Sequence, residues 1–394
     1  GLVIFSNFFG LDPAGNYLEY DNKTVQSLTT VTMDTSQPSV TSVELSTDNI
    51  LSGTLYDNVT GLARDNDSVV KANDNVTLKF ITSERVFTPK VKINGEEKAA
   101  IPQKILGSDD KSGRHWKAVY NVKDNDSGLV SFSDFNAKDN AGNSLEYISS
   151  AVLSPRTVTM DNTQPSIISV ELSTDNILSG TLFDNVTGQS IDNHSVVRFG
   201  DNVTLKFVTS ERVMNGLSVR IHGQITPATA QIIDNTTDKS GTKWQAVYLV
   251  KDNDTGLVNF TEFSANDPAG NLISYDSSIT STRSVTVDNL QPEIISVAWS
   301  TDNLSKILFD NVTGDNLTDE LVVRYLDNVT LNFETSERMV DFPKVLINGI
   351  EKTASKQIVN GNTDITATKW MVVYEVRSFD SGLLDYSDFI GSDP

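Results

Sequence analysis

The stretch Gly128-Leu-Val-Ser-Phe132, continuing through Phe135 to Asp139-Asn-Ala-Gly-Asn143, decides how this chain is organised. The same combination of a GLV strand and a D-x-A-G-N turn returns from Gly256, and it also opens the sequence at Gly1. A fourth copy begins at Gly382 and reaches Asp393-Pro394. These positions set a period of about 127 residues, and a fixed period is the signature of tandem repeats. We therefore expect about three units whose boundaries are offset from the first and last residues of the sequence.

Length and composition favour folded domains of moderate size. The 394 residues provide enough chain for each unit to bury its own core, and an apolar content of 38% is typical of folded proteins. No apolar run approaches the ~18 residues that a membrane-spanning helix needs. The sequence opens at Gly1 without a Met or a signal peptide, so we expect a processed product or an excerpt from a longer chain.

Charge and cysteine content exclude several classes of function. A formal net charge of −21 opposes nucleic-acid binding, which needs clustered Lys and Arg, and it opposes adsorption to anionic membranes. The same charge suits a surface that is exposed to salt or that collects divalent cations. Because the chain has no cysteine, thiol catalysis, iron–sulfur clusters and cysteine-bound zinc are excluded.

Strict alternation of apolar and polar residues predicts the main strands. Asn75-Val-Thr-Leu-Lys-Phe80 has period two, and its pattern returns in both later copies. The strand that starts at Trp116 alternates in the same way, which favours a core role for its Trp over sugar stacking. The segment from Thr47 to Asn75 is rich in Asp, Asn and Gly, and we predict that it is too polar for a central strand.

Turn signals and one change of parity complete the pattern. Asn94-Gly95 predicts a two-residue hairpin turn and recurs as Asn348-Gly349. Val130 and Phe132 share a strand face, whereas Phe135 has the opposite parity, which predicts a bulge between them. About seven short strands per unit and no amphipathic helical stretch predict an all-β fold of tandem immunoglobulin-like antiparallel β-sandwiches. A Pro at each unit start predicts short stiff linkers and a rod.

The repeats also predict the domain boundaries. Residues 1–34 would be orphan terminal strands of a repeat and a donor segment, followed by Ig-like domains at 35–161, 162–288 and 289–394. The last of these lacks counterparts of the residues from Ala141 through Met160. Its missing closing strand and the surplus strand in 1–34, with Leu28, Val31 and Met33, are complementary. Alternatively, the sequence is an excerpt from a longer array, and both the surplus and the deficit result from where the array is cut.

The chain resembles bacterial Ig-like repeats of the adhesin and surface-fibre type. The resemblance rests on Asp-Asn-Val-Thr-Leu-x-Phe, on Thr-Ser-Glu, on Val-x-Ile-Asn-Gly and on D-x-A-G-N before a closing Val-Thr-Val-Asp. The D-x-A-G-N turn is also similar to the hyalin repeat of extracellular proteins. The resemblance covers essentially the whole chain and implies a structural or adhesive role outside the cell, with no catalytic residues carried over.

Catalytic candidates are few, and we predict that the chain is not an enzyme. None of its three histidines, His115, His194 and His222, recurs in the other copies. A general base at neutral pH would most often be a histidine. Ser83-Glu84-Arg85 recurs in each unit without a repeated partner base, so we interpret it as a turn with a local Glu–Arg pair.

Two acidic loops are candidate calcium sites. Asp124 and Asp126 precede Gly128, and Asp252 and Asp254 precede Gly256, so each loop offers carboxylate oxygens that suit Ca²⁺. The third copy has Ser378 in place of the first Asp and therefore lacks the two carboxylate oxygens of that residue. Asx turns explain the same loops without a metal.

Asparagine provides a second signal, because an unusual number of Asn residues lie in N-x-S/T sequons. In an extracellular protein these would be sites of N-linked glycans, whereas in a chain that never meets a glycosyltransferase they are simply polar turns. The candidates are Asn22, Asn58, Asn66, Asn75, Asn125, Asn185, Asn193, Asn202, Asn235, Asn253, Asn259, Asn303, Asn311, Asn316 and Asn328.

The expected function is that of a structural subunit of an extracellular filament or surface fibre. Head-to-tail assembly would follow if residues 1–34 of one molecule completed the third domain of another by strand donation. The alternative is a stalk segment of a large cell-surface adhesin whose binding domain lies elsewhere. Expected partners are identical subunits and a host-surface or glycan ligand, with no nucleic acid, no membrane insertion and no required cofactor beyond structural calcium or glycans.

Overall fold

The computed structural model describes residues 4–20, 27, 29–49, 54–176, 189–191, 193–214, 216–303, 312–315 and 321–392. Over these residues the regular elements are β-strands, and no helix occurs among them. The chain divides into two compact units. Unit 1 comprises Gly1–Pro165, Arg212–Met214 and Asn266–Leu272; unit 2 comprises Ser166–Glu211, Asn215–Ala265 and Ile273–Pro394.

Unit 1 contains one sandwich, whose long strands carry the alternating sequences. The strands are β1 (Val40–Thr47), β2 (Thr54–Tyr56), β3 (Ala63–Val70), β4 (Asn75–Thr82), β5 (Phe87–Ile93), β6 (Glu96–Ala99), β7 (Ile101–Pro102), β8 (Lys104–Ile105), β9 (Ser108–Asp109), β10 (His115–Asn121), β11 (Gly128–Leu129), β12 (Phe132–Lys138) and β13 (Thr157–Met160).

Three sheets and one small hairpin organise these strands. One sheet has the order β1-β4-β10-β7, a second β11-β13-β3-β2 and a third β12-β5-β6, while β8 pairs with β9. The pairs β1–β4 and β4–β10 are antiparallel, whereas β13 runs parallel to β3. This arrangement of short antiparallel strands is immunoglobulin-like, and the predicted all-β fold class is confirmed.

Unit 2 repeats the architecture twice. Its strands are β14 (Ile167–Thr174), β15 (His194–Val197), β16 (Asn202–Thr209), β17 (Ser218–Ile221), β18 (Gln224–Ala230), β19 (Ile232–Ile233), β20 (Thr236–Thr237), β21 (Lys243–Leu249), β22 (Gly256–Leu257), β23 (Phe260–Ser264), β24 (Ser284–Val287), β25 (Ile294–Thr301), β26 (Asn328–Thr335), β27 (Lys344–Ile347), β28 (Ile350–Thr353), β29 (Ser355–Lys356), β30 (Ile358–Val359), β31 (Asn362–Thr363), β32 (Lys369–Glu375) and β33 (Tyr386–Ile390).

The sheets of unit 2 follow the same pairing rules. β14-β16-β21-β18-β17-β23 and β15-β24-β22 form one sandwich, and β25-β26-β32-β29 and β28-β27-β33 form the other. Two small hairpins, β19–β20 and β30–β31, lie beside them. In both sandwiches the strand with the Asn-Val-Thr-Leu sequence pairs with the Trp strand, β16 with β21 and β26 with β32.

The core lies on the alternating apolar faces, as the period-two pattern predicts. In unit 1, Leu78, Phe80, Trp116 and Tyr120 are buried in one continuous cluster. Burying one such side chain contributes roughly 1.5–3 kcal/mol relative to leaving it in water. The Trp of each strand is therefore a core residue, since Trp244 and Trp370 are buried as well.

One sequence prediction about the polar segment was wrong. Within the stretch from Thr47 to Asn75, β3 occupies an interior position between β13 and β2. Of its described side chains, only Val69 and Val70, at its end, are buried, while Arg64 and Asn66 face solvent. Because a strand pairs through its backbone, two buried residues at one end are enough to place an otherwise polar strand inside a sheet.

The first strand of the third sandwich differs from its counterparts in one respect. Val40 in β1 is 4% exposed and Ile167 in β14 is 1% exposed, whereas Ile294 at the same position of β25 is 36% exposed. Further along β25, Trp299 is only half-buried, although its counterpart Leu45 is buried. An apolar sheet face is therefore left partly open at β25.

Candidate functional site

The D-x-A-G-N sequence forms a closed turn around an aspartate carboxylate. Oδ1 of Asp139 accepts hydrogen bonds from the backbone N–H groups of Ala141 and Asn143, both at 2.8 Å. Oδ2 accepts one from the Asn143 side-chain amide, also at 2.8 Å. Gly142 has φ of 96°, a left-handed conformation that glycine adopts without steric cost. The motif is thus an Asx turn that uses its Asp, Gly and Asn for geometry.

Three carboxylates meet beside this turn. Asp34, Glu84 and Asp139 each place one oxygen so that all three lie within 4.8 Å of one another. Since Ca²⁺ holds oxygens at about 2.3–2.6 Å, a single ion could bridge three oxygens at that spacing. Acidic groups also cluster in this way without an ion.

The electrostatics of the cluster are uneven. Burial raises the pKa of Glu84, and the charges of Asp34 and Asp139 raise it further. Burial also opposes the charged form of Asp139, but hydrogen bonds from Asn143, Ala141 and Gly142 outweigh it and lower the pKa of that carboxyl. Between Glu84 and Asp139, Glu84 is therefore the carboxylate that takes up a proton first as the pH falls.

In the first copy, the sequence interpretation of Ser83-Glu84-Arg85 as a local Glu–Arg pair was wrong. Glu84 faces the two aspartates, whereas Arg85 donates a hydrogen bond to the Lys111 carbonyl at 3.3 Å and lies over the ring of Phe87. The turn at the end of β4 was predicted correctly, but sequence spacing does not tell which of two adjacent charged side chains faces the neighbouring loop.

The corresponding aspartate in the second copy, Asp267, is fully buried and keeps the same turn. Asn271 donates to it through its backbone N–H and its side-chain amide, both at 2.8 Å. Burial raises the pKa of Asp267 above its ordinary value, and the charge of Asp161 adds to that effect. The same turn thus carries a carboxyl of lowered pKa at Asp139 and of raised pKa at Asp267, because burial differs.

A tyrosine–aspartate pair that sequence reasoning missed recurs in all three sandwiches. Tyr120 donates its hydroxyl proton to Asp126 at 2.5 Å, and Tyr374 donates to Asp380 at 2.6 Å. Tyr248 and Asp254 make the same short contact, and burial with the Asp254 carboxylate raises the pKa of Tyr248. The signal was present in the sequence as a Tyr followed six residues later by Asp.

This pair bears directly on the candidate calcium loops. Oδ2 of Asp126 also accepts the backbone N–H of Lys123 at 2.8 Å, and Oδ1 accepts the Asn94 amide at 3.1 Å. Asp254 makes the equivalent bond to the N–H of Lys251 at 2.7 Å. In contrast, Asp124 and Asp252 are exposed. Within the described residues, these loops hold no group of three close acidic side chains. Calcium in these loops stays a prediction, and the Asx-turn interpretation accounts for all the contacts.

Two of the candidate donor-strand residues, Val31 and Met33, are exposed. Val31 and Met33 are each 61% exposed, whereas their repeat counterparts Val158 and Met160 are buried in the core. Leu28 lies outside the described residues. Val31 and Met33 are thus exposed on unit 1, although the equivalent residues of the next repeat are buried in its core.

Residues 4–20 keep local contacts of a complete repeat. Leu11 pairs with Tyr17 as Lys138 pairs with Ser144, and Asp12 caps its turn through bonds from Ala14 and Asn16. The rings of Phe5, Phe8 and Tyr20 contact one another, as do those of their counterparts Phe132, Phe135 and Tyr147.

The sequons fall into groups by the environment of the Asn. Asn75, Asn202 and Asn328 donate through their side-chain amides to Asp48, Asp175 and Asp302, at 2.8, 2.8 and 2.9 Å, and Asn303 donates to Asp327 at 2.8 Å. Asn22, Asn185, Asn311 and Asn316 lie outside the described residues. The exposed group consists of Asn58, Asn66, Asn125, Asn193, Asn235, Asn253 and Asn259.

The histidines make structural contacts. His194 bridges Ser284, at 2.6 Å from Nδ1, and Thr286, at 2.8 Å from Nε2. In unit 1 a hydrogen bond between Asp67 and Thr157 stands at the position of the His194–Ser284 contact. Each of these two pairs therefore links two parallel strands. His222 adopts a φ of 46° in a hairpin turn, at the position that Asn94 holds in unit 1. His115 lies 3.4 Å from Asp110.

No helix of the described residues is long and apolar enough to cross a membrane.

Comparison with known proteins gives structural similarity only. No family model and no curated protein matches the chain. Among solved structures, it is similar to SGBP-B of the Bacteroides ovatus mixed-linkage glucan utilization locus, solved with a mixed-linkage heptasaccharide, at 12% identity over 84% of this chain and 73% of that one, with a TM-score of 0.16. A titin segment matches at 14% identity over 57% and 94%, with a TM-score of 0.16. A marsupial T cell receptor matches at 12% over 81% and 97%, with a TM-score of 0.22.

Proposed function

We propose that this chain is a structural subunit of an extracellular filament or surface fibre built from immunoglobulin-like domains in series. The observation that carries the proposal is the repetition of one sandwich, in which the recurring polar residues close turns and join strands. Tyr120–Asp126, Asp48–Asn75 and Asp139–Asn143 are examples. A rod-like arrangement with short linkers and a place outside the cell belong to this proposal.

The finer proposal is strand donation between copies, and the open face of β25 is its acceptor. In unit 1 the backbone N–H of Leu45 donates to Ser154 Oγ at 3.1 Å, and the N–H of Val40 donates to the Glu146 carbonyl. Leu172 and Ile167 of β14 make the equivalent bonds to Ser281 and Ser274. In the third sandwich, the described residues give the backbone N–H groups of Ile294 and Trp299 in β25 no equivalent partner.

The first segment of the chain carries the matching donor. Glu19, Ser27, Val31 and Met33 stand at the positions of Glu146, Ser154, Val158 and Met160. Ser27 already forms the local turn of Ser154, since its hydroxyl contacts Thr29 as Ser154 contacts Arg156. At this turn, insertion would therefore require little reordering, which favours association.

The decisive experiment is deletion of residues 1–34. We expect the full-length chain to form regular polymers, visible by negative stain, and the deleted chain to remain monomeric with its third sandwich folded. A peptide of residues 14–34 in excess should cap the acceptor and stop growth. Polymers that persist after deletion would overturn strand donation. Polymers absent from the intact chain would favour the second candidate, an adhesin stalk whose binding domain for a host surface or glycan lies outside these residues.

N-linked glycans on the exposed sequons form part of the proposal. Intact mass tests them, because the bare chain has a mass of 43.1 kDa. We expect added mass on Asn125 and Asn253, which are exposed, and none on Asn75 and Asn202, whose amides are bonded to aspartates. Agreement of the measured mass with that of the bare chain would remove the glycans from the proposal.

A further inference from the structure

The outward side of the first repeat copy carries apolar side chains that strand donation does not use. We call Ile4, Phe9, Leu11 and Tyr17 the outer patch. All four are exposed, Phe9 at 91% and Tyr17 at 83%. The inner side of the same segment holds Phe5 and Phe8, whose counterparts enter the core in complete repeats.

The other copies show that the fold does not require apolar residues at these positions. The counterparts in unit 1 are Ser131, Asn136, Lys138 and Ser144, and all are polar and exposed. The second copy has Asn259, Ser264 and Asn266 at three of the positions and Leu272 at the fourth. Completing the sandwich around the first copy would therefore leave the outer patch in water.

The segment holds the patch in a defined shape. Leu11 precedes the Asp12 turn and Tyr17 follows it, and the two residues pair in an antiparallel β-bridge. Asn7 has φ of 58°, the conformation of Asp134 at the bulge of β12, so the segment has the same backbone shape as a finished repeat. Cross-strand aliphatic and aromatic pairs of this kind form a continuous surface.

We infer that the outer patch binds the outer patch of a second copy of this chain in a two-fold interface. The chain carries 52 acidic and 31 basic residues, so most surfaces of two copies repel each other. Only Asp12 and Glu19 are charged in the first 20 residues. This is therefore a surface on which two copies can meet with little repulsion while burying apolar area.

The two-fold interface would pair chains laterally, because strand donation uses the closing strand within residues 14–34 and leaves the outer patch exposed. Each interaction can occur without the other. If both occur, filaments joined head to tail would also associate side by side through their first repeats.

Sedimentation velocity on the full chain tests the interface in a background that carries Met33→Asp, which blocks insertion of the closing strand into the core. The test variant replaces Phe9→Asn, Leu11→Lys and Tyr17→Ser, residues that unit 1 already accepts at these positions. We expect the background chain to be a dimer and the variant to dissociate with a Kd raised at least ~10-fold. Higher salt should strengthen the dimer, since screening weakens the residual repulsion.

The matched control replaces two exposed leucines elsewhere in unit 1, Leu106→Asn and Leu153→Ser. We expect the control to dimerise like the background chain. A background chain that sediments as a monomer at every soluble concentration overturns the inference. So does a patch variant that associates as tightly as its parent, or a control that weakens the dimer equally. Circular dichroism checks that each variant keeps its β-structure.

Discussion

At the residue scale, one tyrosine–carboxylate contact explains a sequence difference that a metal site does not. Copy three replaces Asp124 by Ser378 but keeps Asp380, the counterpart of Asp126. If the loop bound calcium, loss of the first carboxylate would lower its affinity for the ion. A turn closed by tyrosine needs only the second one, and Tyr374 makes the contact there. The aspartate is retained where its hydrogen bonds require it.

Substitution in the first sandwich separates the two interpretations. Asp126→Asn removes the charged acceptor of Tyr120 and Lys123, so we expect a loss of about 1–3 kcal/mol in local stability. Asp124→Asn changes an exposed side chain and should have an effect within ~0.5 kcal/mol. Amide exchange of β4 measures both. If Asp124→Asn destabilises β4 only when calcium is present, the loop binds the ion.

The cluster of Asp34, Glu84 and Asp139 predicts a stabilising substitution. Because the folded state raises the pKa of Glu84, its charge costs stability above that pKa, and the cost falls as the pH drops toward the unfolded value. Glu84→Gln removes the charge at all pH values. We expect a gain of roughly 0.5 kcal/mol at pH 7 that vanishes near pH 4.

Amide exchange of β4 at a series of pH values measures this gain. Glu97→Gln is the control of opposite sign, since Glu97 pairs with Lys90 at 2.6 Å on the surface. A Glu84→Gln chain that is less stable than its parent at pH 7 would mean that the carboxylate makes a net favourable interaction, as it would with a bound cation.

At the element scale, the bulge shows what a sequence pattern can predict. The parity change between Phe132 and Phe135 predicted it, and the register of β12 against β5 shifts between Ser133 and Asn136. Asp134 sits there with φ of 50°, as Glu262 and Asp388 do in the later copies. The bulge prediction is confirmed in all three sandwiches, and so are the turns at Asn94-Gly95 and Asn348-Gly349. Alternation and turn chemistry are local, so they can be read from the sequence.

Contacts between distant segments could not be predicted in the same way. The parallel pairing of β3 with β13 joins Asp67 to Thr157, which are 90 residues apart in the sequence. Because the sequence of β3 is polar, it does not predict this pairing. The meeting of Asp34 with Glu84 and Asp139 likewise depends on how three loops are placed. Such contacts follow from topology, which a single strand pattern does not encode.

The strained residue of the bulge gives a prediction at this scale. A side chain in the left-handed region costs about 1 kcal/mol, and glycine avoids that cost. Glu262→Gly should therefore stabilise the second sandwich by up to ~1 kcal/mol. The small contribution of the surface ion pair between Glu262 and Arg220, which the substitution removes, is subtracted from this gain. Thr261→Gly, at an ordinary φ on the same strand, should destabilise it by ~0.5–1 kcal/mol. Amide exchange of β17 compares them, and equal effects of the two changes would contradict the strain argument.

At the scale of the whole molecule, Trp299 provides a direct reporter of strand donation. It replaces Leu45 and Leu172 of the other copies and is half-buried against Tyr386, while Trp116, Trp244 and Trp370 are buried. Iodide should therefore quench mainly Trp299. Insertion of a donor strand would cover this ring, because Ser27 would meet its backbone N–H as Ser154 meets that of Leu45.

The reporter turns assembly into a measured equilibrium. Adding a peptide of residues 14–34 to a chain that lacks residues 1–34 should reduce iodide quenching and shift the emission to shorter wavelength, with saturation at one peptide per chain. A matched peptide with Val31→Asp and Met33→Asp should leave the quenching unchanged, since burying two charges in the core costs several kcal/mol. Equal protection by the two peptides would show that the contact is not the core-filling one, and strand donation at β25 would be wrong.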